Sequence, residues 1–176
     1  KVTAFIYFVF IGSMAIPFQA IMIPFAKVAK TLHMTNSLWG LAVAFWAFTL
    51  PISIFMTVGA MKNVPIEVEE AARIDGCSSF RMFWTIVFPL IRPAVITFVI
   101  INAFWFWNDY LLTQMMLSRK ALRTIQLAMQ AMFNDAFYAW DTALAALTLS
   151  IIPLLSFFII LQRNIIEGMS AGSVKG

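Results

Sequence analysis

The residues best suited to polar chemistry in this 176-residue chain form two groups, and neither has the composition of a catalytic centre. The first group interrupts an apolar sequence at residues 63–91 with carboxylates and guanidinium groups. The second group places amides and one carboxylate at residues 102–109. A membrane-embedded enzyme needs histidine, cysteine or paired carboxylates at membrane depth, whereas these residues favour hydrogen bonds and ion pairs. We therefore expect no catalytic residue in this chain.

Histidine and cysteine each occur once, as His33 and Cys77. A single cysteine excludes an intrachain disulfide and a cysteine-based metal cluster, and a lone His33 is more typical of a solvated loop than of a metal site. The sequence contains no Gly-x-x-x-x-Gly-Lys-Ser/Thr loop, which is the usual phosphate-binding motif of nucleotide sites. We expect no metal ion and no cofactor in this chain, so any energy source must come from another polypeptide.

The elements that position these groups are predicted to be membrane helices. The chain is 62% hydrophobic and 11% charged, with a mean hydropathy of +0.89, which is far more apolar than a soluble domain. The basic residues are scattered at the ends of apolar segments, so we expect no nucleic-acid partner. Four segments have the roughly 20 apolar residues that a bilayer requires, and the sequence therefore predicts an all-α, polytopic membrane helix bundle. These segments are 2–25, 39–61, 93–112 and 140–161.

Residues 63–91, which we call the elbow, are predicted to form two short helices joined by a turn. Pro65 fits the first position of a helix, where its missing N–H costs nothing. Gly76 fits the left-handed residue that ends this helix, and Ser78 or Ser79 can cap the next one. Pro89 is expected to stop the second helix. The elbow then lies between two membrane spans.

The spacing within the elbow resembles the EAA loop of binding-protein-dependent ABC importer permeases. The matching run is Glu70-Ala71-Ala72, three residues, Gly76, nine residues, Ile86, one residue, and Phe88-Pro89. Phe88 replaces the leucine that is usual in the family. The resemblance implies that the elbow couples the permease to an ATPase. The residues implied in this coupling are Glu70, Ala71, Ala72, Arg73, Asp75, Gly76, Ile86 and Pro89.

Three further runs resemble the second permease of maltose-type carbohydrate importers: residues 69–78, Trp107-Asn108-Asp109, and the tail 171–176. This resemblance implies that residues 1–176 form one permease domain in the bacterial inner membrane. The implied partners are a second, unlike permease subunit, two ABC ATPase subunits that bind ATP and magnesium, an extracytoplasmic sugar-binding protein and membrane lipid. The family usually has six spans, so the N-terminal part is expected to be missing from this sequence.

The second polar group is a candidate for the translocation path. Asn102, Trp105 and Asp109 follow one another at i, i+3 and i+7, so they are predicted to share one face of the third span, with Asn108 beside it. Amides can bind hydroxyl groups, and an indole can lie against the apolar face of a sugar ring. The alternative is that the tryptophans anchor the span at the membrane interface. The sequence leaves both interpretations open.

The segment 113–139 is predicted to form an amphipathic helix on the outer membrane surface. Leu122, Ile125, Met129 and Met132 have roughly helical spacing. This stripe either faces lipid and core or contacts the soluble binding protein that the family docks on this side. Orientation by basic residues is weak, because only seven of the twelve Lys and Arg fall on the side of the elbow. The resemblance therefore sets the orientation, with the elbow and the C-terminus in the cytoplasm.

Other functions stay open at this point. The elbow can be read as a well-capped loop that merely links two spans, in which case the chain is a membrane scaffold. A permease for a solute other than a sugar fits the same motif. A membrane enzyme or a self-contained channel fits less well, because the predicted spans carry neither paired carboxylates nor a charged ring.

Overall fold

The computed structural model describes residues 2–134 and 140–173, with side chains for residues 2–133 and 140–162. The parts of the predicted features at residues 1, 135–139 and 174–176 lie outside this description. Within the described ranges every regular element is helical. The helices are α1 Val2–Ser13, α2 Phe18–Thr31, α3 Leu38–Met61, α4 Ile66–Ile74, α5 Ser79–Met82, α6 Phe88–Asn108, α7 Leu111–Met116, α8 Ile125–Asn134 and α9 Trp140–Ser173.

Three of these helical stretches are long and apolar enough to cross a membrane: Leu38–Met61, Ser79–Asn108 and Trp140–Gln162. The first predicted span, 2–25, corresponds to α1 and part of α2, which meet at an angle of 105°. The polytopic helical fold is therefore confirmed. The bend falls at Pro17, whose ring prevents a regular helical turn.

The third span differs from its predicted bounds of 93–112 at both ends, because one helix runs continuously through Ser79–Asn108. Pro89 does not stop this helix, contrary to the sequence prediction. A π-helical turn at Phe83–Val87 precedes the proline and changes the hydrogen-bond pattern from i→i+4 to i→i+5. The missing N–H of Pro89 therefore falls where the helix is already irregular, and the helix continues into the membrane.

The membrane-spanning helices pack closely against one another. The α6 portion packs most extensively against α9 and also against α3, and α1 packs against α3. In α9, Ala143 and Ser150 are buried, and such small side chains allow helices to approach closely. Most other large apolar side chains of α9 remain exposed in the described part of the chain, as expected for a helix surrounded by hydrocarbon.

Two hydrophobic clusters lie at opposite ends of α3. The elbow core follows the last turn of α3 and consists of Ala72, Met82 and Val87. The distal cluster lies at the first turns of α3, and it brings α2, α3, α7 and α8 together. Its buried members are Ala29, Leu41, Ala44, Leu112, Met116, Leu117 and Leu127.

Candidate functional site

The first helix of the elbow, α4, begins one residue later than the sequence predicted. Pro65 occupies the N-cap position with φ −60° and ψ 136°, and Ile66 is the first helical residue. Glu67 and Glu69 lie in the first turn, where the positive end of the helix dipole favours carboxylates. The helix is therefore stabilised at its start by charge, without a side-chain cap.

A Schellman motif ends α4 at the predicted glycine. Gly76 has φ +73°, a conformation that residues with a Cβ rarely adopt. The N–H of Gly76 donates to the carbonyl of Arg73 at 3.0 Å, and the N–H of Cys77 donates to the carbonyl of Ala72 at 2.9 Å. These two bonds satisfy carbonyls that the end of a helix otherwise leaves free. The chain thus reverses sharply at Gly76, as the sequence predicted.

The second helix of the elbow starts with the predicted serine cap. Ser78 is the N-cap, and its hydroxyl accepts a hydrogen bond from the N–H of Arg81 at 3.4 Å. Ser79 is the first helical residue. This helix is the start of the Ser79–Asn108 span. The serine cap therefore helps to fix the angle between α4 and that span.

The elbow core holds these two helices together. Ala72 is only 3% exposed and packs with Met82 and Val87, and Cys77 and Ile86 are partly buried against the same cluster. A small side chain at residue 72 lets α4 approach the Ser79–Asn108 helix closely. Any contribution of Ala72 or Ile86 to a partner contact is therefore indirect, through the position of α4.

The remaining motif residues are exposed. They are Glu70, Ala71, Arg73, Asp75, Gly76 and Pro89. Arg73 forms an ion pair with Glu69 at 3.6 Å, and at 68% exposure of its side chain this pair is screened by water and contributes little stability. The guanidinium group is thus accessible for another carboxylate.

Two isoleucines on α4 were missed by sequence reasoning. Ile66 is 65% exposed and Ile74 is 86% exposed. Both are four residues from Glu70, so the three side chains lie along one face of the helix, and this i, i+4, i+8 spacing was available as a signal. The outward face of α4 therefore combines apolar ends with a central carboxylate, which is a composition suited to a protein contact.

The structure separates the residues of the second candidate group. Asn108 is the last residue of α6, and Asp109 is extended with φ −67° and ψ 130°. The prediction that Asp109 shares a helix face with Asn102 and Trp105 was therefore wrong. The Asp109 Oδ2 accepts hydrogen bonds from the N–H and the Oγ1 of Thr113 at 2.9 and 2.8 Å. This carboxylate stabilises the start of α7, which explains its presence near the end of a span.

The two asparagines of this group bond within their own helix. The Nδ2 of Asn102 donates to the carbonyl of Phe98, and the Nδ2 of Asn108 donates to the carbonyl of Phe104, each at 2.8 Å. Trp105 is half-exposed and lies edge-on to Phe45 with ring centroids 6.1 Å apart. One N–H of each amide is therefore occupied, and its second N–H and its carbonyl oxygen keep the capacity to bond a solute.

The distal cluster contains a polar link that sequence reasoning missed. Asn36 has φ +53°, and its Oδ1 accepts hydrogen bonds from the N–H and Oγ of Ser118, both at 2.8 Å, and from the N–H of Arg119 at 3.0 Å. The N–H of Asn36 donates to the carbonyl of Met116 at 2.7 Å. One asparagine thus joins the turn before α3 to the segment after α7.

The predicted surface helix at 113–139 was wrong in its first part, because α7 is buried in the distal cluster at Leu112 and Met116. The later helix α8 does form, yet Met129 is buried whereas Ile125 and Met132 are exposed. The predicted stripe is therefore buried in one part and exposed in another. Among residues 2–134 and 140–173, no group of three or more His, Cys, Asp or Glu side chains has the geometry of a metal site.

Comparison with known proteins gives consistent matches over the chain. Residues 1–171 match the family described as binding-protein-dependent transport system inner membrane component. A probable starch degradation products transport system permease protein of Thermoanaerobacterium thermosulfurigenes is 37% identical over 99% of this chain and 64% of its own length.

Two other relatives have similar coverage. A multiple sugar-binding transport system permease protein of Streptococcus mutans is 34% identical over 96% of this chain and 61% of its own length. A melibiose/raffinose/stachyose import permease protein of Bacillus subtilis is 32% identical over 100% of this chain and 64% of its own length. The chain therefore spans somewhat less than two thirds of the length of these curated relatives.

Proposed function

The chain belongs to the family of binding-protein-dependent transport system inner membrane components, and from this premise we propose that it is a permease subunit of an ABC importer for a carbohydrate. In this proposal it forms part of the translocation path for a sugar and couples to cytoplasmic ATPase subunits through the elbow. The names of the relatives refer to starch degradation products, multiple sugars, and melibiose, raffinose and stachyose, which favours an oligosaccharide.

The observation that carries the proposal is the construction of the elbow. Its outward face exposes Ile66, Glu70 and Ile74, while its inward face packs through Ala72 against the Ser79–Asn108 helix. An ATPase that holds the outward face can therefore move α4 as a rigid body. The elbow core passes this movement directly into a membrane span, which is how a small shift at one site becomes a tilt of a helix.

The proposed partners are those that the family resemblance implies. The elbow and the C-terminus face the cytoplasm, where two ATPase subunits bind ATP and magnesium and seat on the elbow. A second, unlike permease subunit completes the path, and an extracytoplasmic binding protein delivers the sugar. The chain itself carries no nucleotide-binding motif, so its role is mechanical and ATP hydrolysis belongs to the partner subunits.

Replacement of Ile74 by serine tests the coupling surface. Ile74 is 86% exposed and makes no part of the elbow core, so Ile74→Ser should leave the fold intact. We expect it to remove an apolar contact with the ATPase worth about 2 kcal/mol, which lowers retention of the ATPase roughly 30-fold. Co-purification of the detergent-solubilised complex measures this retention. Val28→Ser, which alters an exposed residue of α2, is the matched control, because α2 packs at the end of α3 opposite the elbow.

Uptake into proteoliposomes tests the substrate class. The complete complex, with its binding protein and ATP, should import at least one member of a panel of melibiose, raffinose and starch-derived oligosaccharides. ATP-dependent import of a non-sugar solute alone would instead support the alternative permease. If the complete complex imports nothing and Ile74→Ser retains the ATPase as well as Val28→Ser does, the chain is a membrane scaffold.

A further inference from the structure

A cavity of about 440 Å³ lies in the bend between α1 and α2, where both helices meet α3. Its walls include Ser13 at the end of α1, Phe18 at the start of α2, and Phe48 and Pro51 of α3. None of these residues belongs to the elbow or to the predicted path at residues 102–109. The cavity is therefore a separate feature of the membrane region.

The position of the cavity along α3 sets its depth. Ala47 and Ile52 bound the α3 wall, and each lies nine residues from the nearer end of the helix Leu38–Met61. At 1.5 Å per residue this is about 14 Å from either end. The hydrocarbon core of a bilayer is about 30 Å thick, so the cavity lies close to its centre.

The break places non-helical backbone at this depth. The residues between the two helices, 14–17, are all exposed, with Met14 at 45% and Ile16 at 52%. Non-helical backbone inside a membrane is tolerated only where protein buries it or where it lines a water-filled cavity. Met14, Ala15 and Ile16 donate their N–H groups to the carbonyls of the preceding turn, whereas none of their own carbonyls accepts a hydrogen bond in the described part of the chain. A further protein segment or water must therefore pair with these carbonyls.

The α3 wall of the cavity also contains a helix irregularity, at Pro51. Pro51 has no N–H, so it cannot donate to the carbonyl of Ala47, four residues earlier on the cavity wall. The nearby hydroxyls bond elsewhere, because Thr49 donates to the carbonyls of Phe45 and Trp46 and Ser53 donates to that of Thr49. Both walls of the cavity therefore carry helix irregularities at the same depth.

The side chains around the cavity favour passage over tight binding. Phe18 and Phe48 meet edge to face, with ring centroids 5.0 Å apart, and provide apolar surface of the kind that the C–H faces of a sugar contact. Ser13 Oγ donates to the carbonyl of Phe10 at 2.7 Å and keeps its capacity to accept. A site with few polar partners binds a hydroxylated solute weakly and releases it readily.

We propose that this cavity is the section of the translocation path that the chain supplies at the centre of the bilayer, where a neutral, polyhydroxylated solute and water pass the α1–α2 break. The proposal rests on the proposed import function and extends it by naming the residues at the break. The competing occupant is a segment of protein that fills the bend and keeps it dry.

Reaction of an introduced thiol with the water-soluble reagent MTSET distinguishes these occupants in the assembled transporter. In a Cys77→Ser background, Ser13→Cys places a thiol on the cavity wall, and Phe5→Cys places one on the same helix at a position 70% exposed and away from the cavity. Because MTSET reacts with thiols in water, we expect Ser13→Cys to react at least 10-fold faster than Phe5→Cys. The modification should also reduce ATP-driven uptake of the sugar panel.

Ala47→Cys, on the α3 wall, repeats the measurement if Ser13→Cys fails to assemble. Equal, slow rates at Phe5→Cys and at both wall positions would overturn the proposal, because the bend would then be dry. If the untreated variants still import sugar in that case, the import function stands and only the path assignment fails. Conversely, fast reaction at the wall in a complex that imports no sugar supports a wet passage and contradicts the sugar assignment.

Discussion

The elbow and the distal cluster lie at opposite ends of α3 and are stabilised in opposite ways. The elbow core involves only residues between Val64 and Val87, so its contacts are local in sequence. The distal cluster depends on contacts across the chain, such as the hydrogen bonds between Asn36 and Ser118, which are 82 residues apart. The elbow is a short, self-contained unit, whereas the distal cluster exists only when several helices are already in place.

This difference matters for a coupling mechanism. A unit with local contacts can shift as one body without losing its own structure, and the elbow has that property because its cap, its turn and its core come from one segment. The distal cluster ties α2, α7 and α8 to the first turns of α3, so it resists separation of those helices. Movement applied at the elbow therefore acts on a span whose far end is held.

The largest effect is expected from Gly40→Ala, next to Leu41 of the distal cluster. Gly40 is buried, and a Cβ at this position would overlap the backbone carbonyl of Met34. Backbone cannot move aside as a flexible side chain does, so the cost should reach or exceed the ~3 kcal/mol upper end of ordinary overpacking. We expect most of the assembled complex to be lost in size-exclusion chromatography of the solubilised protein.

Gly59→Ala, in the same helix, is the matched control. No atom lies within 4 Å of a Cβ built at Gly59, and alanine favours a helix over glycine by about 1 kcal/mol. This variant should assemble at least as well as the wild type. Equal yields for Gly40→Ala and Gly59→Ala would mean that the close contact between Gly40 and Met34 does not hold the distal cluster.

A smaller loss is expected from Asn36→Ala. This change removes the acceptor of three hydrogen bonds, each with a net value of about 0.5–1.5 kcal/mol, and it leaves a Cβ-bearing residue less suited than asparagine to φ +53°. We expect a loss of about 2–3 kcal/mol, seen as a lower thermal midpoint of the complex. Asn36→Asp keeps the acceptor oxygen and should lose less. Identical midpoints for the two variants would argue against the hydrogen-bonded link.

The contrast between local and long-range contacts also explains which features could be predicted from the sequence. The turn at Gly76 and the cap at Ser78 depend on the chemistry of their immediate neighbours, and both were predicted correctly. Asn36 has no local signal, because its partners lie after residue 115 and only the folded chain brings them together. Helix periodicity also failed at Asp109, since a carboxylate that bonds the first turn of the next helix looks the same in sequence as one that continues the span.

The prolines show a second limit of sequence reasoning, because a local signal can be overruled by the rest of the fold. Pro89 carries the local signal for a helix end, yet the tertiary contacts of a long membrane helix and the π-helical turn before it overrule that signal. Pro17 does end a helix. Sequence reasoning identifies prolines as irregular positions, but it cannot distinguish a tolerated kink from a break of 105° without the neighbouring helices.

The smallest effect in stability, and the sharpest test of a self-contained elbow, is expected from Gly76→Val. A residue with a Cβ at φ +73° costs roughly 1–2 kcal/mol, and a branched one costs more than asparagine, which tolerates this conformation. The cost falls on the Schellman motif, so it should open the elbow without separating the distal helices. ATP hydrolysis by the complex should then become less tightly coupled to uptake.

Cys77, the only cysteine of the chain, measures this opening directly because it packs partly buried against the elbow core. A cost of about 1.4 kcal/mol raises the open fraction tenfold, so a maleimide should label Gly76→Val about 10-fold faster than the wild type. Gly76→Asn should label nearly as slowly as the wild type, and an ATPase seated on α4 should slow labelling further. Asn36→Ala should leave the rate unchanged, since its damage lies at the other end of α3. Faster labelling in Asn36→Ala would show that the two ends are one cooperative unit, and a wild-type rate in Gly76→Val would show that the turn does not keep the elbow closed.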